Sequence, residues 1–176
     1  MDSSNMERLW APDRIGMIRG EKTPGCFLCE KHREEAENDK ANLVLERGQH
    51  CYCLMNLYPY TNGHLMVAPY KHTGNLGDLS PEELTEIMTM VRRWVVLLDK
   101  WAHPDGFNMG MNIGRAAGAG VAAHLHWHIV PRWVGDVNFM TSLAGTRVIN
   151  QSLEGAWEEL HALIAADADR SSGSVQ

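Results

Sequence analysis

The chain has 176 residues and a mass of 19.7 kDa, the size of one ordinary domain. It is 44% apolar and 22% charged, enough for a packed core and unlike a wholly disordered chain. A formal charge of −6 and a pI near 5.8 argue against nucleic-acid binding through a broad basic face. No run approaches the roughly 20 apolar residues of a membrane span. The opening MDSSNMERLWAPDR has no apolar stretch of the secretory kind. A cytoplasmic protein with neither nucleic-acid nor membrane partner is the expectation.

Residues 1–7 read as a mobile start, and 167–176, ending in SSGSVQ, as a mobile tail. Between them, 8–166 form one domain without repeat or linker. Glu30 to Asn42 is mostly charged or small and polar, which suits a short solvated helix or an exposed loop alike. Three strand-like runs follow, LVLER, CYCLMNL and HLMVAP, separated by turn residues such as Arg47-Gly48 and Thr61-Asn62-Gly63. Connections this short favour antiparallel neighbours. Ser80-Pro81-Glu82-Glu83 then sets a cap, a first-turn proline and a capping-box glutamate in register. Leu84, Ile87, Met88, Val91, Val95 and Leu98 recur at helical spacing, and His103-Pro104-Asp105-Gly106 ends the helix. Phe107, Met109, Met111 and Ile113 alternate with small or polar residues as a half-buried strand would. A small-residue loop, Gly114 to Ala123, leads into the alternating run HLHWHIVP, and a last helix is expected from Leu153 to Ala166. The order β-β-β-α-β-β-α predicts an α+β fold, with an antiparallel sheet of about five strands packed against a long central helix and a C-terminal helix.

Two constellations carry chemistry. His124, His126 and His128 fall at alternate positions, so in a strand all three imidazoles share one face at roughly 6–7 Å spacing. Leu125, Trp127 and Ile129 would then enter the core. From these residues alone, a metal site using two or three of the histidines remains open, because H-x-H pairs chelate. The turn G-C-F-L-C brings Cys26 and Cys29 together as a metal chelate or a redox dithiol. Cys51 and Cys53, two apart in a strand, read as buried free thiols.

The run His124-Leu-His126-Trp-His128-Ile-Val resembles the signature of the histidine triad (HIT) family, in which histidines alternate with apolar residues. N-G-H-L-M-V-A-P-Y-K-H (Asn62 to His72), Asn112-Ile-Gly114 with its small-residue loop, and Pro131-Arg132 are similar to further family segments. Leu9 to Arg14 and Gly135 to Phe139 resemble the branch that contains dinucleoside tetraphosphate phosphorylases.

The resemblance implies a HIT-like fold, a homodimer and a nucleotide substrate. It makes His126 the nucleophile on a nucleotide α-phosphorus, giving a nucleotidyl-histidine that water or phosphate resolves. Its other ring nitrogen would be held by a nearby main-chain carbonyl. His128 becomes the phosphate contact and proton donor, and the Gly118–Gly120 amides a further anion cradle. Asn56 matches a ribose-binding position, although an Asn before Tyr58-Pro59 equally suits a turn. Asn112 matches a phosphate-side Asn or a strand-end cap. Cys26, Cys29, His72 and His124 match the ligands of a structural zinc, whereas a redox dithiol would leave His72 without a purpose. His64 receives no role.

The sequence departs from the family's hydrolases at Gly118-Ala119-Gly120-Val121, where those carry Gln-Ser or Gln-Thr. A loop this small leaves room for a longer polyphosphate, or for phosphate as acceptor captured by Arg115 or Arg132. The activity implied is transfer from a dinucleoside polyphosphate of the diadenosine tetraphosphate type to phosphate or water. The competing readings are a hydrolase of small nucleotide conjugates, a nucleotide-binding sensor, and a metalloenzyme with His124, His126 and His128 on one ion.

Overall fold

In the computed structural model, which describes residues 25–136, 149 and 151–173, five strands form one antiparallel sheet. They are β1 (Val44–Arg47), β2 (Cys51–Met55), β3 (Leu65–Pro69), β4 (Gly106–Gly110) and β5 (Trp127–Arg132), in the order β1-β2-β3-β5-β4. Two short helices, α1 (Phe27–Arg33) and α2 (Asp39–Asn42), precede the sheet. Long helices α3 (Pro81–Ala102) and α4 (Leu153–Gly173) cover one face of it. The stretch from Glu30 to Asn42, open between helix and loop in the sequence, is thus largely helical.

Period-two alternation decides what faces the helices. Cys51, Cys53 and Met55 of β2, Leu65 and Val67 of β3, and Ile129 of β5 pack on Ile87, Met90, Val91, Trp94, Leu97 and Leu98 of α3. Tyr52, Leu54, Met66 and Ala68 point the other way and bury Leu28 of α1. Strands β2 and β3 are therefore covered on both faces, which accounts for their unbroken apolar runs. Leu125 and Trp127 join the helix-side core, so the even-numbered histidines lie on the opposite face.

Three features fix α3. Ser80 and Glu83 exchange both capping-box hydrogen bonds at 3.2 and 2.7 Å. The Glu86 carboxylate accepts from the amides of Gln49 and His50 in the β1–β2 turn. Arg93 pairs with Glu46 of β1 at 2.7 Å and with Asp167 of α4 at 3.2 Å. Gly63 turns the β2–β3 connection with φ +70°, against the Trp101 ring, where a Cβ would collide.

Several boundaries differ from the sequence expectation, four of them with consequences for the site or the packing. Leu43 is not in β1. It adopts φ 59° and closes α2 through its N–H. β4 stops at Gly110, opposite His128, rather than at Ile113. β5 begins at Trp127 rather than His124, because its β3 partner ends in Pro69, whose carbonyl takes the His124 imidazole instead of a backbone amide. Helix α4 continues past Ala166 to Gly173, so 167–173 are helical and not an irregular tail. The Arg93–Asp167 pair anchors that extension. Residues 1–24 and 174–176 lie outside the described residues.

Truncating Leu98, fully buried between sheet and α3, should cost about 3 kcal/mol of unfolding free energy as Leu98→Ala. Ser80→Ala should cost about 1 kcal/mol. Urea melts of both variants beside the parent chain measure these losses.

Candidate active site

Helix α1 presents Cys26 at its N-cap and Cys29 one turn later. Opposite them, beyond the end of β3, stands His72, and His124 precedes β5. The ligand atoms of all four lie within 4.8 Å of one another. Cys29 Sγ is 3.2 Å from His72 Nδ1 and 3.4 Å from His124 Nδ1. Cys26 Sγ is 3.3 Å from His124 Nδ1, and the two Nδ1 atoms are 3.3 Å apart. Tetrahedral zinc with bonds of about 2.3 Å to sulfur and about 2.0 Å to nitrogen requires S···N edges of about 3.5 Å and N···N edges of about 3.3 Å. The donors already stand close to those edges, so the set fits such an ion. His124 Nε2–H donates to the Pro69 carbonyl at 2.8 Å, which leaves Nδ1 as the lone pair facing the cysteines. Burial lowers the His124 pKa below its ordinary value, keeping the ring neutral as a ligand must be. Burial, and then the neighbouring Cys26, raise the Cys29 thiol, a cost that a bound cation reverses.

The other two triad histidines have different partners. His126, 7% exposed, donates from Nδ1–H to the His124 carbonyl at 2.9 Å. Its lone pair is therefore at Nε2. His128 sits edge-on to His126 with ring centroids 4.9 Å apart, and its Nδ1 is 2.9 Å from His64 Nε2. Because the Tyr60 N–H donates to His64 Nδ1 at 3.1 Å, the His64 proton resides on Nε2 and is donated to His128. That places the His128 proton on its own Nε2. The three histidines thus diverge toward the cysteines, the backbone and His64, and do not converge on one ion.

Sequence reasoning gave His64 no part, yet it orders the His128 tautomer. Its signal is the register of β3 on β5: Met66 faces His128, and His64, two residues earlier on the same face, is its diagonal neighbour. Buried Cys51 and Cys53 belong to the core, with Cys51 pushed up to about 12 by burial and Cys53 raised well above its ordinary value. Neither belongs to the site.

A cleft of about 260 Å³ is lined by Tyr60, Asn108, Met109, Gly110, Asn112, His128, Val130 and Arg132. Asn112 is in it, its amide 3.4 Å from the Gly118 carbonyl. Asn56 lies elsewhere, at the end of β2, where its Oδ1 accepts from the Tyr58 amide at 2.9 Å and its Nδ2 approaches His64 Nδ1 at 3.4 Å. The turn expected of that Asn is therefore formed. The Gly118–Gly120 amides do not form a complete cradle. Gly118 N–H donates to Arg115 O and Ala119 N–H to Gly114 O, because Arg115–Ala117 coils into a 3-10 turn that Gly118 closes at φ 82°. Arg132 is spoken for by both Asp136 oxygens and by Asn108 Oδ1, whereas Arg115 is exposed.

Residues 36–134 match the HIT domain family, and the chain belongs to it. Over 154 residues it is 38% identical to the AP-4-A phosphorylase of Mycobacterium tuberculosis, covering 84% of this chain and 79% of that protein. It is 38% identical over 82 residues to the asymmetrical bis(5'-nucleosyl)-tetraphosphatase of Schizosaccharomyces pombe, covering 47% of this chain and 44% of that one. Among solved structures it resembles a Zn-bound histidine triad family protein from Mycobacterium smegmatis, with a TM-score of 0.65 at 26% identity, covering 83% of this chain and 97% of the other. Of the segments similar to the phosphorylase branch, Leu9–Arg14 and residues 137–139 fall outside the described residues.

Cys29→Ser should abolish stoichiometric metal retention and lower the melting temperature, read by elemental analysis and calorimetry. The same melting temperature should fall as pH drops below about 6.5, since the unfolded chain then takes up a proton on His124 before the folded chain does.

Proposed function

We propose that this chain is a nucleotidyl transferase acting on dinucleoside polyphosphates through a nucleotidyl-His126 intermediate. The observation that carries the reading is the 2.9 Å bond from His126 Nδ1–H to the His124 carbonyl, which reserves the Nε2 lone pair for attack. That lone pair forms a bond to the α-phosphorus, the P–O bond to the rest of the polyphosphate breaks, and the leaving oxygen takes the proton of His128 Nε2. Phosphate or water then attacks the same phosphorus, returning a proton to His128 Nε2, and His126 Nε2 leaves with its lone pair restored. Asn112, in the cleft with His128, serves the phosphates. Asn56 serves the ribose through whatever hydrogen-bonding capacity its turn leaves. Gly120 supplies an anion-binding amide beside Gly118, which contributes room rather than a donor.

Phosphate is our choice of acceptor. The 38% identity to a phosphorylase favours it, and so does the small Gly118–Gly120 loop. With a net charge of −6, phosphate capture falls to a local cation, and exposed Arg115 suits it better than the thrice-bonded Arg132. Zinc is our choice of ion for Cys26, Cys29, His72 and His124. It would supply folding energy to a closed four-ligand centre that ties α1 to the sheet. A homodimer completes the reading: β4 is the sheet's outer strand, with Met109 58% and Ile113 47% exposed beside the cleft. No helix among the described residues is long and apolar enough to cross a membrane.

Diadenosine tetraphosphate incubated with phosphate should yield ATP plus ADP, and the rate should rise across a phosphate titration. ATP plus AMP at a rate indifferent to phosphate would make the chain a hydrolase instead. His126→Ala should lower turnover by several orders of magnitude while nucleotide still binds. Activity within about tenfold of the parent would remove His126 from the chemistry.

A further inference from the structure

The metal-ligand cluster and the nucleophile share a single peptide group, that between His124 and Leu125. Its carbonyl accepts the His126 Nδ1–H at 2.9 Å. Its N–H, on Leu125, donates to the Thr73 carbonyl at 2.7 Å. Thr73 is the neighbour of the ligand His72, and His124 is itself a ligand whose far nitrogen is pinned to Pro69. Side chain and main chain of His124 are thus clamped to the one segment 69–73, with the cysteines of α1 closing the remaining side. The packing leaves little slack, since a Cβ added to Gly74 would fall on the Ala122 carbonyl oxygen. Backbone pairing does not do this work, because the β3–β5 ladder ends at Val67–Trp127.

We propose that the Cys26–Cys29–His72–His124 centre positions the nucleophile: joining His72 to His124 fixes the 124–125 peptide, and that peptide fixes the tautomer and aim of His126. The proposal rests on the nucleophilic role given to His126 above. His72 and His124 are then positioning residues as well as metal ligands. An ion held only for stability would leave the reacting ring indifferent to the metal. One held here does not, because the carbonyl orienting that ring belongs to a ligand residue. Two sites that share such an element are coupled in both directions.

The test uses the full chain in zinc-loaded and cadmium-loaded forms, together with His72→Ala and the four-ligand replacement His72→Cys. In protein labelled with 15N histidine, the His126 Nδ1–H resonance reports its hydrogen bond without any turnover. The resonance should differ between the zinc and cadmium forms and weaken or shift in His72→Ala. With diadenosine tetraphosphate, His72→Ala should lose at least about tenfold in kcat with KM changed less than about threefold, and His72→Cys should recover most of the loss. Identical resonances and equal kcat in the zinc and cadmium forms overturn the proposal, even if His72→Ala does not fold. So does a folded, metal-free His72→Ala with unaltered kcat and His126 resonance. Normal turnover by His126→Ala would instead overturn the nucleophile reading, and the dependence of the His126 resonance on the ion would still decide the coupling.

Discussion

Burial of Leu125, Trp127 and Ile129 against the helix side of the sheet sets the face on which His124, His126 and His128 stand. Each such side chain contributes roughly 1.5–3 kcal/mol by leaving water. A slip of one residue would expose all three and drive imidazoles into an apolar core. Register is therefore held by hydrophobic burial on one face, and the histidines inherit their positions on the other. Which face of the sheet the site occupies is thus decided outside the site.

Direction alone does not make three imidazoles different. Their partners do. A carbonyl from Pro69, a carbonyl from His124 and the Nε2–H of His64 each claim one nitrogen of a ring. The nitrogens left over differ in kind: a lone pair toward two sulfurs, a lone pair at Nε2 of His126, and a proton at Nε2 of His128. Identical side chains at identical spacing come to present unlike ring atoms through what lies on the far side of each ring.

Much of this is legible in the sequence. Alternation through 124–129 assigns the two faces, the capping box at Ser80 starts α3, and the turn residues divide β1, β2 and β3. What escapes is non-local. Pairing of β3 with β5 spans the whole of α3, so nothing near His64 in the chain announces that it lies diagonal to His128. Pro69 ends the ladder early and draws the His124 ring to its carbonyl, a contact between residues 55 apart. The twist of 115–117 into a 3-10 turn consumes amides that a string of small residues had left looking available. Asn56 bears out the bland expectation of a turn together with proximity to His64, and composition cannot weigh one against the other.

The four cysteines divide into two chemically unlike pairs. Cys51 and Cys53 are shut in the core, Cys51 with its sulfur 3.9 Å from that of Met90, and burial holds both protonated at neutral pH. An alkylating reagent needs thiolate and access, and finds neither there. Cys26 is only half-buried at the start of α1, with buried Cys29 one turn behind it and the exposed ring of His72 beside them. Native-state alkylation of Cys26 therefore acts as an ion gauge for this chain: an ion in the centre would shield that thiol, stripping the ion would free it, and the core pair answers only once the sheet and α3 have come apart.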